Sequence, residues 1–232
     1  MKFLHLLATV CFLSLMQISL MGQSSIKSFD FKKGEVLDIL LLSNQPDNEA
    51  LFDKYKNTAF PVAMKLSYQP LPGYAIAEYT QGNIQPEVFA FGKWGSLEKR
   101  EAFLVDIEKE VPDFHEQRRA LWSIFNLTYY EMPTDISFQI NKDKVTVATA
   151  YWQKDMGDFN KFKKTLAKKT KKLGGKTVVE LMDGKSPFGY YYQPDYLVIT
   201  EWKDKATFDA FYQANIKMKQ EGVKHVNQFL LK

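Results

Sequence analysis

The chain has almost no cysteine and little histidine. Cys11 is the single cysteine among 232 residues, and there are three histidines. Cys11 lies inside an apolar N-terminal run, behind Val10, where a lipoprotein signal would need a small residue. From Gly22 onward no thiol remains, which excludes disulfides, a thiolate nucleophile and cysteine-based metal or iron–sulfur centres. His115 is followed by Glu116 but not by the second histidine of a zinc-protease helix, and no third ligand stands at metal spacing. No metal is therefore expected. Charge of one sign is also scarce. The formal net charge is +4, too small for a general nucleic-acid surface.

What is present begins with Lys2, an apolar stretch from Phe3 to Met21, Gly22, and then the polar Gln23-Ser24-Ser25. A basic start, an apolar run and a small residue at a polar junction describe a secretory signal peptide over residues 1–22, cleaved near Gly22. The expected location is the periplasm or outside the cell. The alternative is an uncleaved anchor, since the run approaches the ~20 apolar residues that span a bilayer. A chain that is 45% hydrophobic and 15% aromatic can build a sizeable core without disulfides.

The rest repeats itself. Phe52-Asp-Lys-Tyr-Lys-Asn-Thr58 matches Phe159-Asn-Lys-Phe-Lys-Lys-Thr165, and Leu66 matches Leu173. Ala75-Ile-Ala-Glu78 is set against Thr177-Val-Val-Glu180, Gln85-Pro86-Glu87 against Gln193-Pro194-Asp195, and Trp94 against Trp202. This alignment implies an insertion over Ser67–Gly73 in copy one and another over Ser186–Tyr192 in copy two. Each copy reads β-α-β-β-α-β. The strands are expected at Val36–Leu42, Tyr74–Tyr79, Val88–Trp94 and Ile124–Tyr130, then at Val145–Trp152, Thr177–Met182, Tyr196–Trp202 and Asn227–Leu231. Helical stripes run through Phe52, Tyr55, Ala59 and Val62, and through Phe159, Phe162 and Leu166. Ser96 and Asp204 cap the second helices. The fold class is α+β: two tandem ferredoxin-like modules over 30–133 and 134–232, joined by a polar linker around Pro133–Lys144. Their bare sheet faces would bury each other within one chain, giving an intramolecular pseudo-dimeric α+β barrel and a monomer.

Copy two carries Ala150-Tyr151-Trp152, Phe159 and Phe162, Gly174-Gly175-Lys176, Glu180, Gly184, and Val198-Ile-Thr-Glu201-Trp202 leading to Phe211-Tyr212. These residues resemble the dimeric α+β barrel superfamily, nearest the uncharacterised domain of unknown function family thirteen-thirty. The resemblance implies the fold, with a pocket between sheet and helices. It also implies a range of activities: haem-degrading or quinone-forming monooxygenases, lactone isomerases and haem peroxidases. The haem-degrading pattern resembles an Asn on the first strand, a Trp in the second helix and a His beyond it. Val145–Trp152 has no Asn, Phe211 stands at the Trp position, and His225 lies past the His position, so no haem is expected.

Among the candidate site residues, Glu180 and His225 are the titratable ones, for general acid–base work. Tyr151, Trp152, Trp202, Phe211 and Tyr191 are the aromatic ones, for an apolar or aromatic ligand. Each has a plainer reading: a rim glutamate, a structural histidine, core rings. The tyrosines of Phe188–Pro194 either contact a ligand or seal the two copies together. The lysines of 161–176 read as a solvated helix face or as contacts to an anionic envelope surface. Pro61 and Pro112 bend copy one's helices, so copy two is expected to hold any small-molecule site. Three functions follow. The first is an exported small-molecule-binding barrel, with metal-free chemistry where it reacts at all. The second is a haem- or oxygen-dependent monooxygenase-like protein. The third is an envelope interaction protein with no small-molecule site.

Overall fold

The computed structural model describes residues 25–187 and 190–232. The expected signal peptide lies outside them, as do Phe188 and Gly189. Ten strands and five helices are described, in the order β1 (Ile26–Phe31), β2 (Val36–Asn44), α1 (Glu49–Lys65), β3 (Gln69–Gln81), β4 (Val88–Trp94), α2 (Leu97–Glu110), α3 (Phe114–Leu121), β5 (Trp122–Glu131), β6 (Ile136–Asn141), β7 (Val145–Gln153), α4 (Met156–Lys172), β8 (Lys176–Met182), β9 (Tyr196–Trp202), α5 (Lys205–Ile216) and β10 (Val223–Leu231).

Eight strands form one antiparallel sheet in the order β5-β2-β4-β3-β10-β7-β9-β8. Each half supplies four neighbours in the ferredoxin-like order, and the halves meet where β3 pairs with β10. The far edges approach through a single bridge, Tyr129 opposite Lys185, so the sheet curls into a barrel with one laddered seam and one light seam. Strand alternation divides the side chains. Leu37, Ile39, Leu41, Ala148, Ala150, Leu197, Ile199 and Phe229 fill the barrel, a core that both halves share. The opposite faces pack under helices, with Val36, Tyr55, Trp94 and Phe103 in the first half. Val147, Phe159, Phe162, Trp202 and Phe208 do the same in the second.

The expected caps form: Ser96 Oγ accepts from Lys99 N at 3.2 Å and Asp204 Oδ1 from Thr207 N at 2.8 Å. Gly174, at φ +86°, ends α4, with Gly175 N bonded to Thr170 O. Ser67, at φ +66°, does the same for α1, with Tyr68 N bonded to Ala63 O. Pro61 lies in the last turns of α1 without ending it, whereas Pro112 separates α2 from α3.

Three expectations are corrected. Residues 136–141 are not linker. They form β6, which pairs with β1 in a two-stranded ribbon and lays Phe29, Phe31, Phe138 and Ile140 onto the barrel core. The first half therefore begins by Ile26, ahead of residue 30. Neither expected insertion exists. Tyr74 and Ala75 face Phe89 and Val88 as Leu181 and Met182 face Leu197 and Tyr196, so the helix-to-strand stretches have equal length and the β3–β4 and β8–β9 connections differ by one residue. For the same reason Glu78 is not the counterpart of Glu180. Glu78 lies opposite Leu230, the position that Lys185 holds opposite Tyr129. Short identity matches had slipped the register across a bulged strand.

Candidate functional site

The second half's sheet–helix layer contains a crevice of about 10 Å³, lined by Thr149, Tyr151, Thr170, Glu180, Tyr196 and Phe211, among others. That volume holds about one water. β7 and β9 bring Thr149, Tyr151 and Tyr196 to it, α4 brings Thr170, and the edge strand β8 brings Glu180. Tyr196 donates to Glu180 Oε1 at 2.9 Å. Burial first, then the Glu180 carboxylate, push the Tyr196 hydroxyl far above its ordinary range, so it stays protonated and is a donor at neutral pH. Tyr151 stacks on Tyr196 and meets Phe162 edge-on, and burial raises its hydroxyl too. Glu180 itself is exposed at the mouth, so it is a rim carboxylate rather than a desolvated base.

Three of the expected residues therefore meet: Tyr151, Glu180 and Phe211. The others lie elsewhere. Trp202 belongs to the same layer but stands behind the crevice lining, its Nε1 donating to Thr200 Oγ1 at 3.0 Å and its ring 4.5 Å from Phe211. Trp152 and His225 are in tilted ring contact at 5.0 Å, and Trp152 also meets Tyr192, a barrel residue. They face the barrel and not the crevice. Alternation on β10 dictates this, since Val226 and Leu230 take the helix side. Tyr191 is 79% exposed. The tyrosine segment binds the light seam. Tyr192 enters the barrel core and its carbonyl accepts from Thr128 Oγ1, while Tyr190 packs on Phe125 in the first half's layer.

The first half's layer holds what the sequence reading missed. Asp38, on β2, accepts from Arg100 Nε at 2.8 Å and from Trp94 Nε1 at 2.9 Å. Arg100 is 2% exposed and lies over the rings of Trp94 and Tyr129. A second buried arginine, Arg118 on α3, donates to the hydroxyls of Tyr55 and Tyr190. Burial pushes the Asp38 carboxyl up, against the pull of Arg100, Trp94 and Arg118. An acid inside the apolar run Val36–Leu42 was the available signal. By register, Asp38, Gly92 and Trp94 correspond to Val147, Thr200 and Trp202. With the helices aligned on Trp94 and Trp202, Arg100 falls on Phe208.

Neither histidine of the described residues lines the crevice. The crevice admits about one water. His225 is turned to the barrel, and His115 pairs with Glu108 at 2.7 Å on the surface of α3. Among the described residues no cluster of His, Cys, Asp and Glu could hold a metal, and no helix is long and apolar enough to cross a membrane.

No family model and no curated protein matches the sequence. Solved structures do. An anthrone oxidase-like protein is 13% identical, with 89% of this chain and 94% of that one covered and a TM-score of 0.50. The chlorite dismutase of Candidatus Nitrospira defluvii, in complex with imidazole, is 9% identical, with coverage of 87% and 92% and a TM-score of 0.50. The likeness shows the dimeric α+β barrel fold. The narrower resemblance to family thirteen-thirty rests on the residues alone.

Proposed function

We propose that the chain is an exported, small-molecule-binding α+β barrel, built by tandem duplication of one ferredoxin-like module. Its ligand site is the crevice beneath α4. One observation carries this reading: polar groups converge in a layer that is otherwise apolar. Thr149, Thr170, Thr177, Thr200, Tyr151 and the Tyr196–Glu180 pair surround a gap walled by Leu166, Val198 and Phe211. A few placed polar groups among apolar walls are what small ligands require. The ligand is small and largely apolar or aromatic, with one donor for the Tyr196 hydroxyl oxygen, whose own proton goes to Glu180. Because the crevice is small as folded, binding moves α4 outward along the edge strand β8. Chemistry at this site would rest on the Tyr196–Glu180 hydrogen bond, which orients a bound polar group without a metal.

A thermal-shift screen of phenols, aromatic acids and quinones tests the reading. A ligand that raises the melting temperature of the mature protein should lose that shift in Glu180→Ala and Tyr196→Phe, and keep it in Glu78→Ala. A shift retained in both crevice variants would overturn the assignment.

A second reading concerns the outer face of α4. The helix has seven lysines against one aspartate, although the whole chain carries only +4. Lys161 pairs with Asp158 and Lys169 with Ala214 O, and Lys164, Lys168, Lys171 and Lys172 are exposed. Such a face suits an anionic envelope surface. Replacing those four lysines with glutamine should abolish salt-sensitive binding to phosphatidylglycerol vesicles. Equal binding by the variant would overturn it.

A further inference from the structure

The first half's layer has more buried donors than acceptors. Arg100 Nη1 and Trp122 Nε1 are buried without a hydrogen-bond partner. Arg118 is 8% exposed, and its side-chain hydrogen bonds go to phenols: Nε to Tyr55 at 3.2 Å and Nη1 to Tyr190. Among the described residues no carboxylate pairs with Arg118, while the one buried carboxylate nearby, Asp38, is taken by Arg100. Two buried guanidiniums thus share one acid. Burial of a cation without a counter-charge is unfavourable. Aromatic faces offset part of this, with Arg118 4.2 Å from the Phe114 centroid and 4.4 Å from that of Phe125. A planar, anionic acceptor would offset far more.

Tyr190 occupies the place such a group would take. It belongs to the β8–β9 connection of the second half, yet its ring lies 5.2 Å from Phe125 and 5.3 Å from the Arg118 guanidinium. Its hydroxyl meets Nη1. A phenol against an aromatic wall with its oxygen on a guanidinium has the shape of a bound aromatic acid. The arrangement belongs to this half alone, because Arg118 is on α3 and the second half passes from α5 to β10 without a helix there.

We propose that Arg118, Phe114 and Phe125 form a site for a small aromatic anion of the benzoate or phenolate class, and that Tyr190 is its built-in surrogate. The ligand's ring replaces that of Tyr190 on Phe125, and its oxygens accept from Arg118 in the fork geometry that a single phenol cannot match. This site lies in the opposite half from the Glu180 crevice and does not depend on it.

Isothermal titration of the mature protein with 4-hydroxybenzoate, benzoate and the neutral isostere benzamide tests the proposal. Tyr190→Ala should bind 4-hydroxybenzoate at least tenfold tighter than the wild type, because the internal competitor is gone. Adding Arg118→Gln should return the affinity to the wild-type level or below, with Arg118→Lys between the two. Benzoate should exceed benzamide at least tenfold in Tyr190→Ala, and Glu180→Gln should change nothing. Tyr190→Ala binding no tighter than wild type overturns the proposal, as does tight binding that survives Arg118→Gln. Loss of binding in Glu180→Gln would place the ligand in the crevice and equally overturn it. Tyr190→Gly and melting curves for every variant keep the result readable if one substitution unfolds the loop.

Discussion

At the scale of residues, the two halves solve the same packing problem with opposite chemistry. In the first, Asp38 and Arg100 meet beside Trp94; in the second, Val147 and Phe208 stand at the corresponding positions in one apolar cluster with Trp202. Taking two ions out of water costs several kcal/mol each, and a hydrophobic pair of similar volume is often as stable. Asp38→Val alone should therefore destabilise by about 3–5 kcal/mol, because Arg100 is left buried and unpaired. Adding Arg100→Phe should recover most of that loss. The double variant should still fall short by about 1–3 kcal/mol, since Trp94 Nε1 loses its acceptor. In the second half Thr200 supplies one, but in the first Gly92 stands there, and a Cβ would lie 2.6 Å from the Tyr68 ring. Urea denaturation measures the series, and a double variant no more stable than Asp38→Val would show that the pair is not an isolated unit.

The secondary elements show what was legible. Periodicity and capping locate all eight barrel strands and four of the five helices, α3 being the one unexpected, because each buries one face and the pattern survives in a single sequence. The ribbon escaped, although Phe29 and Phe31 alternate with polar residues as Phe138 and Ile140 do. Both strands are short, and their partner lies in the other half, so no local signal pairs them. The crevice was half legible: Glu180 and Phe211 lie on recognisable elements, while Tyr196 read as a strand residue only. Trp152 and His225 were misplaced because strand parity was not followed to the end of β10. Asp38, Arg100 and Arg118 were passed over because charged residues are expected outside. Element pairing also sets local stability. β10 pairs on both sides, with β7 and β3, whereas β8 pairs with β9 alone, and the segment after it meets β5 through the Lys185 bridge and the side-chain bonds of Ser186 and Thr128. Amide exchange followed by mass spectrometry should show β8 exchanging well before β10. Equal protection of the two strands would mean the light seam is as firm as the laddered one.

For the molecule as a whole, the barrel core decides cooperativity. Phe29, Leu37, Phe89, Phe91 and Tyr130 of the first half interleave with Ala148, Leu181, Leu197, Ile199 and Phe229 of the second. Neither half can bury its sheet face without the other, so neither has a complete core of its own. The chain should then unfold in one transition, with calorimetric and van't Hoff enthalpies equal. It should also sediment as a monomer, since both seams are satisfied within the chain. The isolated second half, residues 134–232, tests the same physics from the other side. It would expose Ala148, Leu197, Ile199 and Phe229 together with the unpaired edge of β10, which β3 covers in the full chain. An uncovered apolar face beside a free strand edge drives self-association. The fragment should therefore sediment as a dimer or larger species while the full chain stays monomeric under the same conditions. A fragment that is folded and monomeric would show that each half is self-sufficient, and the shared core would then hold the halves together without being what makes either of them fold.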